Sequence, residues 1–442
     1  MTTRHRAVTR LTILALAAAG FALTLIVFYP GVMTYDARYV YDGVTGGVVG
    51  DWQSPLMVTL WRWVDPLAPG PGSLLLLTSA LYWSGFALVG LTLAPRAPVL
   101  AIATPLLGLA PPAFILLGVI WRDVLFAATW LFAAALAFAS RGRGTFWWTA
   151  RLTALALVAV GVLLRPNALV AAPVLAVYAL APARLSWRRV AIAYVPLVLL
   201  AYGLIQIVYY GVLDAKRQNP LHSLLVFDLG GITHFSGENQ FPVTWSAAQE
   251  RMLTEGCYDP SIWDVYWFRE PCRFVMDRLD RTEGEKLFGT SAIPQAWLRA
   301  VTRHPLAYLQ HRAAHFRAFA TGENLVVWFR QLDDGTREIF PDRPAFQALK
   351  RVHDALKPTP LLRTWPWLVL CLGLVAATWR RRADPAGAYA AAAGAAAALY
   401  VGSFAVFGVA SDFRYGYWAV LAGLSGAAAA LATASPRPLE AT

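Results

Sequence analysis

Apolar runs of membrane-crossing length, separated by short clusters of arginine, recur along most of the chain. The first runs from Leu11 to Phe28 behind Arg4, Arg6 and Arg10. It is read as an uncleaved span, because its small residues Ala17, Ala18 and Ala19 lie inside the run and not after it. Others cover approximately residues 73–94, 98–118, 123–140, 145–164, 168–183, 190–211, 364–379, 387–409 and 415–433. Each can cross a hydrocarbon core of roughly 30 Å, so the pattern predicts an all-α polytopic membrane protein of about ten transmembrane helices. Pro111 to Trp121 is expected to be a broken or interfacial helix. The alanines from Ala390 to Ala398 suit a span that packs closely through small residues.

Two polar stretches interrupt these runs. Residues 30–72 are dense in functional groups, and residues 212–363 scatter Trp, Tyr and Phe among charges as a small folded domain does. A helix is expected after Pro305, since proline suits a first helical turn. The predicted organisation is an N-terminal bundle (1–211) carrying the first loop, a mixed extracytoplasmic domain (212–363) between spans seven and eight, and C-terminal transmembrane helices (364–442).

Composition agrees with the pattern: 57% of the 442 residues are hydrophobic and 14% charged, which excludes a water-soluble enzyme as the main body. The formal charge of +12 would suggest nucleic acid on a soluble protein, but these cations sit at the ends of apolar runs, so no nucleic-acid partner is expected. Arg96, Arg141, Arg143, Arg151, Arg184, Arg188, Arg189, Arg380, Arg381, Arg382 and Arg437 fall on the same side as the N-terminal arginines. Only Asp384 and Glu440 among the acids join them. The excess of cations in short inner loops then places both termini in the cytoplasm of a multi-pass plasma-membrane protein, with both polar stretches and the chemistry outside. Cys257 and Cys272 fall in that oxidising space, where a disulfide is favoured over two buried thiols.

Asp36 lies just beyond the first span, and two readings of it stand. A carboxylate there can take a proton from a hydroxyl, or Thr34 and Asp36 can simply cap a helix. Asp42 and Asp51 follow in the same loop.

One membrane helix, then Pro30-Gly31, then Asp36, then Asp51-Trp52 and Pro55 leading into an amphipathic stretch, resembles the polytopic glycosyltransferases of the GT-C superfamily. In plan the chain is similar to protein mannosyltransferases and bacterial lipid-linked sugar transferases. Trp121-Arg122-Asp123, Arg165-Pro166-Asn167, His304-Pro305-Leu306-Ala307-Tyr308 with Arg312, and Asp412-Phe413-Arg414-Tyr415 extend the resemblance from end to end. It implies a GT-C-like fold and a hexosyl or pentosyl transferase of cell-envelope glycosylation. The donor is then a polyprenyl-phosphate sugar and the acceptor an extracytoplasmic glycan, lipid or protein. Asp36 corresponds to the general base, with Asp51 or Asp42 as second carboxylate.

Such a transfer needs cations for the departing phosphate, and Arg122, Arg165 and Arg414 are placed to clamp it. Snorkelling to lipid headgroups is the alternative for each. Gln53, Asp123 and Tyr415 are candidate acceptor or sugar contacts. Related members often carry His-Pro-Pro where this chain has Gln53-Ser54-Pro55, and glutamine supplies no imidazole. Either His304 takes that role or donor specificity differs.

Local explanations compete. Asp123 with Arg122, and Asp412 with Arg414, can be ion pairs that anchor spans. His304, Tyr308, His311 and His315 fall on one helical stripe, which invites a metal, yet no companion carboxylate stands at a recognisable spacing. No metal ligand is assigned, a divalent ion stays open as cofactor, and the stripe is read as solvated or lying on the membrane surface. Asp228-Leu229-Gly230-Gly231 is read as a turn, and Glu238 and Asn239 as sugar-facing. A transporter or flippase of lipid-linked sugars is the alternative function, and a scaffold the third. A transporter is expected to carry midplane charges and paired inverted segments, and the sequence shows neither.

Overall fold

Among the described residues every regular element is helical, and β-pairing is confined to three isolated bridges. The computed structural model describes residues 3–142, 144–281, 286–322 and 339–434. Arg143, Arg437 and Glu440 lie outside the described residues.

The chain begins with α1 (Thr3–Phe28), two short loop helices α2 (Tyr35–Val44) and α3 (Pro55–Val64), and α4 (Pro71–Leu93). The pair α5 (Pro98–Leu107) and α6 (Pro111–Leu117) is bent by 46°, where prolines 111 and 112 restart the helix. Then come α7 (Arg122–Ala139), α8 (Thr145–Leu164), α9 (Ala172–Leu180) and α10 (Trp187–Gln206), which continues as a π-turn to Val212. Seven helices are long and apolar enough to cross a bilayer, or eight if the bent pair counts as one span. This is a polytopic membrane protein.

About ten spans were expected, and two of the expected runs are shorter helices. Residues 168–183 become α9, nine residues long, because Pro166 opens a 3-10 turn and Pro173 restarts the helix. Residues 364–379 become a helix of 15 residues, Thr364–Thr378, closed by a 3-10 turn at Trp379–Arg381.

The buried body of the bundle is built around α7, whose Trp130 donates to the Val158 carbonyl of α8 at 3.1 Å. Gly161 permits that contact, since a Cβ there would lie 1.9 Å from the Trp130 indole nitrogen. The alanine-rich helix Pro385–Phe407 is buried along most of its length, as the run of small residues predicted.

Polar contacts gather at two poles. At one, Arg96 pairs with Asp384 at 2.6 Å and donates to the Thr433 carbonyl, and Leu185 N donates to the Arg382 carbonyl. At the other, Asp36 meets Arg414, and Thr364 packs against Gly416. The chain therefore passes between the poles in both short helices, from Arg165 to Leu185 and from Thr364 to Arg382.

The polar region after α10 holds α11 (Leu221–Ser236), α12 (Ala292–Arg303), α13 (Pro305–Thr321) and α14 (Pro344–Leu356); α15 (Thr364–Thr378), α16 (Pro385–Phe407) and α17 (Tyr417–Ala432) complete the bundle. The aromatic-rich region forms its own core, including Phe227, Tyr266, Met276 and Ile293. Cys257 and Cys272 are joined in a disulfide with an S–S distance of 2.08 Å. Its loop after Pro260 runs against the segment between α16 and α17: Trp263 N donates to Val409 O at 2.9 Å and Ser411 N to Ser261 O at 2.8 Å.

Candidate functional site

Local structure brings Asp36 to the pole. Thr34 caps α2 by accepting from Ala37 N, and its hydroxyl also accepts from Trp121 Nε1 at 2.7 Å. Val32 pairs with Val119 in an isolated bridge, tying the exit of α1 to the start of α7. Thr34 does the capping, so Asp36 is left in the first helical turn with both oxygens directed elsewhere.

Asp36 Oδ2 lies 2.6 Å from Arg414 Nη1, and Asp36 Oδ1 accepts from Gln53 Nε2 at 3.2 Å. Gln53 is fixed because Ser54 caps α3 and donates to the Leu163 carbonyl at 2.9 Å. Arg414 also reaches Asp412 through Nε at 3.2 Å and lies 4.5 Å above the Trp121 ring. Burial alone would raise the Asp36 carboxyl, but the charges of Arg414, Arg122 and Arg165 outweigh it and hold the group below its usual range. Asp412 goes the other way: burial pushes it up to about 6 despite Arg414.

Arg122 is placed differently from the other two arginines. Its Nη1 donates to the Trp52 carbonyl at 3.3 Å, and among the described residues it makes no ion pair. It lines a narrow cleft of about 10 Å³ with Asp36, Gln53, Trp121 and Asp123 over the apolar side chains of Val40, Met57 and Ile120. Its charged lining is Asp36, Asp123 and Arg122, and the two acids are paired from outside it by Arg414 and Arg165.

Several expected roles change. Asp123 does not pair with its neighbour Arg122; it pairs with Arg165 at 2.7 Å, both side chains buried. Successive residues on a helix point about 100° apart and cannot face each other. Arg165 is thus held by Asp123, by Tyr400 at 3.3 Å, and by the Tyr415 ring at 4.7 Å, as an anchor of the wall. Tyr415 stands between Arg165 and Arg414 and accepts from Arg414 Nη2 at 3.2 Å. Asp51 is engaged by Tyr210 at 2.7 Å and Gln218 N at 2.6 Å, while Asp42 is exposed outside the cleft. Neither is the second carboxylate beside Asp36.

Sequence reasoning missed Asp264. Burial raises its pKa, and the negative charge of Asp36 adds to the rise while Arg269 opposes it. It sits in a helical turn between Trp263 and Trp267, whose rings pack against Trp52 at 5.9 and 5.7 Å. The only sequence signal was two tryptophans flanking an acid.

His304 belongs elsewhere: its Nε2 lies 3.5 Å from Glu238, which also pairs with Arg303. His311 and His315 are fully buried, not on a membrane surface. His311 Nε2 lies 3.2 Å from Asp228, which also pairs with Arg312 and accepts from Trp297 at 2.7 Å. His315 Nδ1 meets the Pro260 carbonyl at 2.8 Å. Burial pushes both histidines down, His315 to about 4. Asp228 to Gly231 is not a turn but part of α11, and Gly231 leaves room for the His311 ring, which a Cβ would meet at 2.2 Å. Asn239 is turned into its own loop, bonding Val243 O, Phe241 N and Trp245 Nε1. Among the described residues no three His, Cys, Asp or Glu side chains converge as metal ligands.

Compared with family models, curated proteins and solved structures, the chain matches none.

Proposed function

We propose that the chain is a GT-C-type membrane glycosyltransferase that moves a sugar from a polyprenyl-phosphate donor to an acceptor hydroxyl at the Asp36 pole. The observation that carries this reading is that Asp36, held ionised, and Arg122, which makes no ion pair among the described residues, line one cleft. The acceptor oxygen attacks the anomeric carbon, the bond from that carbon to the phosphate oxygen breaks, and the phosphate leaves with the electron pair. The hydroxyl proton passes to Asp36, and Arg122 meets the charge that develops on the phosphate.

An acid held below its usual range is a weak base but is always ionised at neutral pH. That suits a transfer in which bond cleavage leads and the hydroxyl becomes acidic only as it attacks. Arg414 and Gln53 occupy one site on each oxygen, leaving Asp36 further lone pairs for the acceptor. The cleft between these side chains holds about 10 Å³, room for roughly one water, so in this reading its walls part to admit the reacting ends of donor and acceptor. Trp121, the tryptophan in the cleft lining, supplies an aromatic wall for the sugar.

In this reading the two short helices α9 and α15 also cross, giving ten passes. Both termini face the cytoplasm, and the cleft opens at the outer leaflet of the plasma membrane. Between the poles the spans carry no Asp, Glu, Lys, Arg or His, as in residues 124–139, 190–212, 386–407 and 417–432. That supports chemistry at the boundary over passage through the bundle.

The test is transfer of radiolabel from a panel of polyprenyl-phosphate sugars by purified protein. Asp36→Asn should insert and fold like the parent yet release no label. Full activity in that variant removes the reading.

A further inference from the structure

The pole opposite Asp36 carries a second cavity that the transfer does not use. It lies between the start of α10 and the end of α15 and is lined by Arg184, Arg188, Arg189, Arg380 and Arg382 with Trp187 and Trp379. The two indoles stack at 5.6 Å with their planes 15° apart, and the Arg382 guanidinium covers Trp379 at 5.1 Å. Leu185 N donates to the Arg382 carbonyl at 3.0 Å, which fixes one wall to the other. Among the described residues none of these five arginines pairs with a carboxylate, and the nearby Asp384 is already committed to Arg96 and to the backbone of α16.

Five cations converging without an acid form a place where an anion is strongly favoured, and arginine forks match phosphate oxygens. The surroundings say which anion. From the rim of the cavity an outward apolar stripe runs along α10 through Ile192, Val195 and Leu199, and another along α15 through Leu372 and Val369. Polar headgroup chemistry and acyl-chain surface are therefore continuous, as at basic pockets between transmembrane helices that hold anionic lipids. Indoles at this depth suit the headgroup level of a bilayer.

We infer that this cavity binds the phosphodiester headgroup of an anionic phospholipid, with the acyl chains lying along the exposed stripes of α10 and α15. A soluble phosphate shares the headgroup chemistry but has no use for the stripes.

Native mass spectrometry of the detergent-purified full chain, titrated with phosphatidylglycerol, phosphatidylcholine or inorganic phosphate, reads this directly. Phosphatidylglycerol should be retained and phosphatidylcholine lost on the same activation. Arg188→Gln with Arg380→Gln should weaken phosphatidylglycerol binding about 25-fold, taking roughly fivefold per arginine at an anionic lipid site. Arg4→Gln with Arg10→Gln removes the same charge from exposed positions outside the cavity and should leave binding intact. Equal retention of the two lipids, equal loss in both double variants, or displacement of the lipid by inorganic phosphate overturns the assignment. The comparison of lipids on the parent protein stands even if the cavity variant fails to fold.

Discussion

Arg414 holds Asp36 at 2.6 Å across 378 residues of chain, and the same guanidinium reaches Asp412 at 3.2 Å. One cation serves two acids in opposite protonation tendencies. Asp36 is held ionised by it, whereas burial keeps Asp412 near the point of protonation.

Removing the cation should therefore be costly. Arg414→Ala leaves two carboxylates without their partner and should lower unfolding stability by about 3 kcal/mol. That is the low end for broken buried pairs, because the Asp36 side chain is 35% exposed. Arg414→Lys should fall between, since a single ammonium cannot reproduce the fork. Denaturant unfolding in detergent measures both, and an alanine variant as stable as the parent contradicts the pairing.

The two acids also set opposite pH responses. An Asp412 that binds its proton up to about pH 6, against about 3.9 unfolded, adds stability at low pH that is lost as pH rises from about 4 through 6. Asp36, held low, adds stability that is present above about pH 4 and disappears only as pH falls through its depressed value. In unfolding measured from about pH 4.5 to 7, Asp412→Asn should remove a decline that the parent shows. Parallel curves for the two proteins would refute the assignment to Asp412.

Asp123 and Arg165 should behave as one unit. Each alanine variant is expected to cost about 3–5 kcal/mol, because it strands a buried charge. The double variant should cost less than the sum by roughly 1–3 kcal/mol. Strict additivity would mean that the 2.7 Å contact contributes nothing.

Much of this arrangement was legible in the chain, and the remainder was not for identifiable reasons. Apolar length marked seven of the spans because it reflects the solvent, bilayer or water, to which each helix is exposed. Pro166 and Pro173 shortened α9 while leaving its hydrophobicity unchanged, so length alone overestimated it. Asp36, Gln53, Arg122 and Arg414 were recognisable one by one. The partnership of Arg165 with Asp123 instead of Asp123 with Arg122 depends on how α7 meets α8, which spacing does not encode. The histidine stripe was placed correctly on one helix, but its burial depended on Asp228 in another helix with no sequence mark linking them.

Gln53 is the next residue to alter. Gln53→Leu removes the donor at 3.2 Å from Asp36 and should reduce transfer about tenfold, in kcat more than KM, as loss of one hydrogen bond to a charged group does. Gln53→His restores a donor and should recover part of the rate below the imidazole pKa. A leucine variant with parental kcat would show that this contact is structural only.

The disulfide offers a separate test of the polar domain, and an added cysteine tests its side of the membrane. Its 15-residue separation predicts a loss of about 3 kcal/mol in Cys257→Ser with Cys272→Ser, read as faster proteolysis within residues 212–363 while the spans survive. On intact cells a membrane-impermeant maleimide should label a cysteine placed at the exposed position of Arg299, in Arg299→Cys. Labelling only after lysis reverses the proposed orientation.

The grip of Arg414 on Asp36 joins the first loop to the 3-10 turn, Phe413–Gly416, that leads into α17. During synthesis the acid emerges 378 residues before Arg414, so an intermediate lacking α17 has only Arg122 and Arg165 to balance that carboxylate. Arrival of α17 therefore completes the Asp36–Arg414 pair, which ties the finished pole to a late step of assembly.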